Sequence, residues 1–195
     1  MSLEIRELQL EDLQTAAGLS RYVFDYCLRN RMEFEQSIVF IEEYISEEHL
    51  KSFYEEEKIV LWGAFDENEM VAVAGLQTDG LITMLYVLPA YQNKGCGARL
   101  LFTMREYAKS ILGLERVNLN ATPAWTNAYF AKNGFRKYNV RQNLYSPFIS
   151  MYAEGSHVTL KEKRRVPWQV IFFAVAGSLL FATTAGVLFM ISYLF

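Results

Sequence analysis

Two glycines that follow an apolar strand and open a helix form a loop that can hold phosphate. Gly95 and Gly97 lie between the apolar run 85–88 and the helical stretch that begins beside them. Glycine lets consecutive backbone N–H groups converge on one concavity, and the start of a helix adds the positive end of its dipole. The ligand that best fits such a loop is a diphosphate.

Two other kinds of phosphate-binding loop do not fit this segment. No Lys-Ser or Lys-Thr pair follows the glycines, as nucleotide hydrolases require, and Leu100 stands where a dinucleotide-binding fold has its third glycine. The alternative without a ligand is a glycine turn that only joins a strand to a helix.

The elements around the loop mix strands and helices. Helical spacing of apolar residues predicts helices over 11–29, within 37–53, after the loop as far as Gly113, and over 125–132. Apolar or alternating runs predict strands at 4–8, 59–65, 70–76, 81–88, 117–120 and 146–152. This order predicts an α/β fold with a mixed central sheet, helices on both faces and a parallel strand pair across the loop helix.

Two motifs resemble landmarks of the GNAT superfamily of N-acetyltransferases. The spacing Gln92-x-x-Gly95-x-Gly97 is similar to its Q/R-x-x-G-x-G/A signature, and residues 127–135, which read N-A-Y-F-A-K-N-G-F, resemble its A-x-x-F-Y-x-x-x-G-F helix. The resemblance extends over about residues 3–153. It implies a GNAT-like fold, acetyl-CoA as the acyl donor, an amine acceptor and no metal.

The resemblance also implies where the cofactor binds. In this family the strand before the loop parts from the next parallel strand, here 83–88 from 117–121, and the freed backbone groups bind the pantetheine amides. Buried unpaired amides otherwise cost free energy, so a ligand that completes the ladder is expected. We interpret Cys96 as a packing residue and not as a nucleophile. The predicted cofactor-binding residues are Leu85, Tyr86, Val87, Gln92, Asn93, Lys94, Gly95, Cys96, Gly97 and Ala98.

The implied reaction is attack of a neutral amine on the thioester, which needs a proton donor for the leaving thiolate. Family members often carry a tyrosine four residues before the glycine of the Gly-Phe pair, and here that position is Phe130. In members with Ser-Pro or Thr-Pro before the helix, the tyrosine lies six residues after the proline. Six residues after Pro123 the chain has Tyr129. Neighbouring helical residues point about 100° apart, so both cannot face the sulfur. We expect Tyr129 to be the general acid; the alternative is a packed aromatic side chain.

The reaction also needs a proton acceptor for the attacking amine. No histidine lies in the two motifs, and we expect His49, in an acidic helical segment, and His157 to be surface residues. An ordered water held by asparagines could pass the proton to an acid of the first helices. The candidates for this relay are Asn118, Asn120, Asp25 and Glu35.

The C-terminal stretch predicts a transmembrane helix. Residues 167–195 carry no charge, and a bilayer is spanned by about 20 apolar residues. The basic cluster 161–165 precedes the span, which predicts a cytoplasmic N-terminal part. The predicted domains are therefore a GNAT-like domain over 1–155, a basic linker over 156–166 and a membrane helix over 167–195.

A stripe of small residues in the predicted span suggests pairing of two copies. Small side chains recur every four residues and allow close helix approach, which predicts a possible homodimer in the bilayer. The stripe consists of Ala174, Ser178, Ala182 and Gly186.

Composition narrows the partners further. The chain has 19 Lys and Arg against 22 Asp and Glu, and this acidic balance does not suggest a nucleic-acid-binding protein. Two cysteines are too few for a disulfide framework and fit a reducing compartment. The leading hypothesis is a membrane-anchored acetyltransferase for primary amines, and the alternative is a non-catalytic acyl-CoA sensor coupled to the membrane span.

Overall fold

The computed structural model describes residues 3–31, 35–121, 124–137 and 149–154. The strands are β1 Leu3–Glu7, β2 Ile59–Asp66, β3 Glu69–Gln77, β4 Leu81–Val87, β5 Arg116–Ala121, β6 Arg136–Lys137 and β7 Ile149–Glu154. The α-helices are α1 Leu13–Val23, α2 Glu35–Tyr44, α3 Glu47–Glu55, α4 Cys96–Ser110 and α5 Asn127–Lys132. Short turns of 3-10 helix cover Leu10–Asp12, Arg29–Arg31, Pro89–Tyr91 and Ala124–Thr126, and a π-helical turn covers Phe24–Leu28.

The strands form a single sheet in the order β1-β2-β3-β4-β5-β7-β6. Strands β4 and β5 are parallel, whereas the other neighbouring pairs among the described strands are antiparallel. Helix α4 connects the parallel pair, as the crossover rule requires. The predicted α/β fold with a mixed central sheet is confirmed.

Helices cover both faces of the sheet. One core lies between the sheet and α4 and includes Leu100, Met104 and Leu119. The other lies between the sheet and α1 to α3 and includes Phe24, Leu50 and Met84. Because both faces are covered, β2 and β3 are almost continuously buried, unlike the alternating pattern of a sheet with one wet face.

The first N-terminal helix changes type before Arg29, where the sequence predicted one continuous helix, and the second predicted helical region consists of two helices. Helix α1 ends at Val23 and continues as the π-helical turn, in which Phe24 is fully buried. The second region divides at Ser46, whose hydroxyl accepts a hydrogen bond from the backbone N–H of His49 at 3.2 Å. A serine N-cap followed by Glu47 and Glu48 is a strong helix start, because both the hydrogen bond and the helix dipole favour it.

The predicted linker and membrane helix lie outside the described residues. Within the described part of the chain, no helix is long and apolar enough to cross a bilayer. The last strand was predicted over 146–152, and the structure places β7 at Ile149–Glu154.

Candidate active site

A gap opens between β4 and β5 at the centre of the sheet. The two strands pair only through Leu81 with Asn118 and Ile82 with Leu119 among the described residues. Gly75 on β3 pairs with Met84 and its neighbour Leu76 pairs with Ile82, so Thr83 is the extra residue of a bulge. A bulge bends its strand, and here it coincides with the point where β4 leaves β5. The predicted parting of these strands is therefore present, and the bulge was not predicted.

The backbone of β4 turns alternate residues toward this gap. The N–H of Leu88 donates to the Val71 carbonyl of β3 at 3.0 Å, and Tyr86 pairs with Val73. Because an antiparallel strand directs its polar groups to either side in alternation, the backbone groups of Leu85 and Val87 face β5. These two residues are thus placed to bind the amides of an extended ligand.

The side chain of Tyr86 points away from the gap. It lies in the core beneath α1 to α3 and is 9% exposed, and burial strongly raises the pKa of its hydroxyl. Its backbone pairs with β3, so the structure separates Tyr86 from the other predicted contacts on β4.

The predicted phosphate loop ends at the first turn of α4. Gly95 is the N-cap residue, with φ +84°, and Asn93 also has a positive φ of +60°. A left-handed N-cap favours glycine. Because Gly95 has no side chain, the first N–H groups of α4 are accessible to an anion. Gln92, Asn93, Lys94 and Gly95 are exposed, whereas Cys96 and Gly97 are buried.

Side-chain contacts fix the loop to β4 and to the π-helical turn. The Gln92 amide donates to the Val87 carbonyl at 3.0 Å and to the sulfur of Cys27, on the π-helical turn, at 3.6 Å. The Lys94 ammonium lies 5.4 Å from the centre of the Tyr91 ring, which keeps a cation beside the helix start. The loop thus combines backbone donors with a positive charge.

The Tyr129 hydroxyl reaches the first turn of α4. A Cβ atom added to Gly97 would lie 2.5 Å from the Tyr129 hydroxyl oxygen and 3.6 Å from Cγ2 of Val87. The structure therefore brings together the predicted acid, the second glycine and a predicted pantetheine contact. Burial, with the nearby Cys96 thiol as a second cause, raises the pKa of Tyr129 to about 12. Its hydroxyl thus stays protonated at neutral pH.

Packing gives Tyr129 and Phe130 different surroundings. Phe130 contacts Phe135 edge to face, with ring centres 5.9 Å apart, and packs against the core beneath α4. Tyr129 is 40% exposed, and its hydroxyl is the one that approaches Gly97. Cys96 is 1% exposed, and burial raises its pKa, as fits a packing residue that keeps its proton.

The residues proposed from sequence to relay the proton are mostly engaged elsewhere. The Asp25 carboxylate forms ion pairs with Arg29 at 2.7 Å and Arg21 at 3.5 Å. The Asn120 amide oxygen accepts a hydrogen bond from Ser150 at 2.8 Å, and Asn118 is half-buried on β5. The side chain of Glu35 lies outside the described residues.

His49 differs from its predicted surface position. Its ring is stacked on Phe53, with centres 4.3 Å apart, and its Nε2 atom is buried without a hydrogen-bond partner among the described residues. The spacing of His49 and Phe53, four residues apart on one helix, was the sequence signal for this stack. Separately, the described residues contain no group of three or more His, Cys, Asp or Glu that could hold a metal ion.

Solved structures with the same architecture are acetyltransferases. PaiA N-acetyltransferase from Thermoplasma acidophilum, in complex with coenzyme A, has a TM-score of 0.66 and 23% identity over 79% of this chain and 99% of that chain. A GCN5-related N-acetyltransferase from Rhodopseudomonas palustris has a TM-score of 0.64 and 19% identity, over 79% of this chain and 96% of that chain. A mutant of spermidine N-acetyltransferase from Vibrio cholerae has a TM-score of 0.55 and 20% identity, over 79% of this chain and 94% of that chain. At these identities the likeness shows the fold.

Sequence comparison supplies the family. A search of curated proteins found no significant match. The family model described as an acetyltransferase (GNAT) domain matches residues 29–152, which is well over half of the chain. The chain therefore belongs to the GNAT family of acetyltransferases, which confirms the predicted class of acyl-CoA-dependent N-acetyltransferase with acetyl-CoA as donor.

Proposed function

We propose that the chain transfers the acetyl group of acetyl-CoA to a primary amine by direct attack on the thioester. The observation that carries this proposal is the gap between β4 and β5, which leaves the backbone groups of Leu85 and Val87 facing a space beside the phosphate loop. Backbone amides in such a position need partners, and the amides of pantetheine can complete the ladder.

The cofactor would run along β4 from the loop toward the bulge. Its diphosphate would accept hydrogen bonds from the backbone at Gly95 to Ala98, with Lys94 as the nearby cation. Strands rise about 3.3 Å per residue, so Val87 and Thr83 are about 13 Å apart, comparable with an extended pantetheine arm. The thioester would then lie toward Leu85 and Thr83.

The chain can supply two groups to the reaction at this point. A backbone N–H of β4 that faces the gap can stabilise the oxyanion of the tetrahedral intermediate. When that intermediate collapses, the carbon–sulfur bond breaks and the Tyr129 hydroxyl can donate its proton to the thiolate. Tyr129 now fills space beside Gly97 and Val87, so its side chain must turn along the gap as the cofactor enters.

The acceptor is an amine of unidentified structure. One similar structure is a spermidine N-acetyltransferase, which makes polyamines a reasonable first class of substrates to test. The acidic balance of the chain, with 22 Asp and Glu against 19 Lys and Arg, weakly favours cationic acceptors.

Amine-dependent release of CoA from acetyl-CoA should be detectable with the full-length protein in detergent. We expect turnover with at least one member of a panel that contains spermidine, a polyamine, and phenylethylamine, an aromatic monoamine. The measurement is mass-spectrometric detection of the acetylated amine together with free CoA. Tight CoA binding without acetylated product from any amine would contradict the proposal and favour the acyl-CoA sensor.

We also infer that residues 167–195 anchor the enzyme in a membrane, with the catalytic domain on the cytoplasmic side. The support is the uncharged stretch and the basic cluster at 161–165 that precedes it. The full-length protein should sediment with membranes and resist carbonate extraction, whereas a chain that ends at residue 159 should not.

If the small-residue stripe pairs two copies, Gly186→Leu should weaken self-association in a membrane assay. A full-length protein that stays in the supernatant would exclude both the membrane anchor and the pairing of two copies in the bilayer.

A further inference from the structure

The side chain of Arg105 joins three elements of the fold. It lies on α4, and its two terminal nitrogens donate to the Asn133 carbonyl at 3.3 Å and to the Glu154 carbonyl at 2.6 Å. Asn133 is the C-cap residue of α5, and Glu154 ends β7. A Cβ atom added to Gly134 would lie 3.4 Å from Nη1 of Arg105, so the guanidinium packs closely against the turn after α5.

Asn133 extends this contact to the proposed general acid. Its side-chain Nδ2 donates to the backbone carbonyl of Tyr129 at 2.9 Å. Asn133 thus accepts a hydrogen bond from Arg105 on its own carbonyl and donates one to the residue that carries the catalytic hydroxyl. An unbroken series of hydrogen bonds therefore leads from Arg105 on α4 to Tyr129 on α5.

Helix α5 needs such contacts to stay in place. It has six residues, Asn127–Lys132, and none of them is buried. A helix of this length is not stable by itself in water, so tertiary contacts must hold it. Phe130 packs against the core beneath α4, but apolar burial is non-directional and does not by itself fix how α5 is rotated. Hydrogen bonds to defined atoms supply that direction.

Helix α5 approaches α4 at two separate points. The Tyr129 hydroxyl approaches Gly97 in the first turn of α4, and Arg105 binds the C-cap of α5. Gly97 and Arg105 are eight residues apart, which corresponds to about 12 Å along a helix. A short helix held at two such points cannot slide or swing along α4 without losing one of them.

We propose that Arg105 is a positioning residue of the acetyl transfer, which holds α5 so that the Tyr129 hydroxyl can reach the sulfur of the leaving thiolate. This inference rests on the proposed function and on Tyr129 as the acid. The proton still passes from the Tyr129 hydroxyl to the sulfur, and Arg105 takes no part in the transfer. The Tyr129 side chain remains able to turn as the cofactor enters, because the hydrogen bonds hold the backbone of α5.

Arginine suits this position better than lysine. Its planar fork lets two nitrogens bind the carbonyls of Asn133 and Glu154 at once, whereas the single ammonium of lysine sits on a flexible stem. A positive charge beside the last carbonyls of a helix is favourable for either residue. Arg105→Lys therefore keeps the charge and removes the simultaneous contact with both carbonyls.

The test uses the full-length protein and the amine that it acetylates best in the panel above. We expect Arg105→Lys to lower kcat about 10–100-fold with unchanged acetyl-CoA affinity, because a misplacement of about 1 Å can cost that much in rate. The same substitution in a Tyr129→Phe protein should cause no further loss, since the hydroxyl that it positions is gone. Arg136→Lys makes the same change at an exposed site on β6 and should leave kcat unchanged.

A second variant tests the other half of the connection. Asn133→Ala removes the hydrogen bond to the Tyr129 carbonyl but keeps the backbone carbonyl that Arg105 binds. We expect a smaller fall in kcat than in Arg105→Lys, again absent in the Tyr129→Phe background. If Arg105→Lys does not fold, Asn133→Ala decides the question alone.

Two results would overturn the inference while leaving the proposed function intact. One is wild-type kcat in both Arg105→Lys and Asn133→Ala. The other is an equal fractional loss with and without the Tyr129 hydroxyl, as a merely structural role would give. Wild-type kcat in Tyr129→Phe alone would reject the acid and this inference with it. A wild-type protein that acetylates no amine would instead reject the proposed function itself, so these failures are distinguishable.

Discussion

Gly97→Ala should weaken the binding of acetyl-CoA at least about 100-fold, or about 2.7 kcal/mol, while the protein remains folded. The new Cβ would lie 2.5 Å from the Tyr129 hydroxyl oxygen, which is closer than such atoms can approach. It would also stand beside the first N–H groups of α4, where the diphosphate must contact the backbone. Isothermal titration calorimetry with acetyl-CoA measures the effect.

The chain offers a matched control for this substitution. Gly18 lies within α1, and a Cβ added there would have no atom within 4 Å. Gly18→Ala makes the same chemical change within a helix and should leave CoA affinity unchanged, with a gain in stability of about 0.5–1 kcal/mol. Equal CoA affinity in Gly97→Ala and Gly18→Ala would reject the assignment of the loop.

A double variant separates the two reasons for the loss. In Gly97→Ala combined with Tyr129→Phe, the close oxygen is gone and the nearest remaining ring atom, Cζ, is 3.5 Å from the new Cβ. If the methyl group blocks the diphosphate itself, the double variant should bind acetyl-CoA as poorly as Gly97→Ala. Recovery of affinity would show instead that the displaced tyrosine caused the loss.

Tyr129→Phe should lower kcat about 10²–10⁴-fold, the usual range for one acid or base group. The ring would still pack against Phe130, and removal of the hydroxyl takes away its close approach to Gly97. Affinity for acetyl-CoA should therefore stay equal or become slightly tighter. Steady-state kinetics with calorimetry on the same preparation separates turnover from binding.

The pH dependence of the wild type follows from the raised pKa. With a pKa of about 12, the Tyr129 hydroxyl keeps its proton through the neutral and moderately alkaline range. Loss of the donor should therefore lower kcat only as the pH approaches 12, and Tyr129 should add no alkaline limb below about pH 11. An alkaline limb near pH 9 that disappears in Tyr129→Phe would contradict this expectation.

Phe130→Tyr is the control for the helical register. Its ring is half-buried and packs on Phe135, so an added hydroxyl enters an apolar contact instead of the space beside Gly97. We expect reduced stability and no gain in turnover, because a buried hydroxyl without a partner costs free energy. Rescue of Tyr129→Phe by a second Phe130→Tyr substitution would show that the other register is catalytic.

The sequence alone determined the features that depend on local chemistry. Gly95 and Gly97 predicted the loop because glycine favours the left-handed N-cap at Gly95 and leaves room for the close approach at Gly97. Apolar runs predicted β2, β3 and β4, because a short apolar run between turn residues is a local signal of a buried strand. The motif around Phe135 then gave the family, which the family model over 29–152 confirmed.

Only the tertiary structure decided the features that depend on contacts between distant segments. The bulge at Thr83 arises from the register of β4 against β3, which the sequence of either strand does not contain. The orientation of Tyr129 toward Gly97 is fixed by packing of Phe130 against the core beneath α4. The ring of His49 packs against Tyr44 from another helix, with ring centres 4.5 Å apart. Local propensity acts over a few residues, whereas the proposed proton donor and the loop glycine beside it are brought together by elements far apart in the chain.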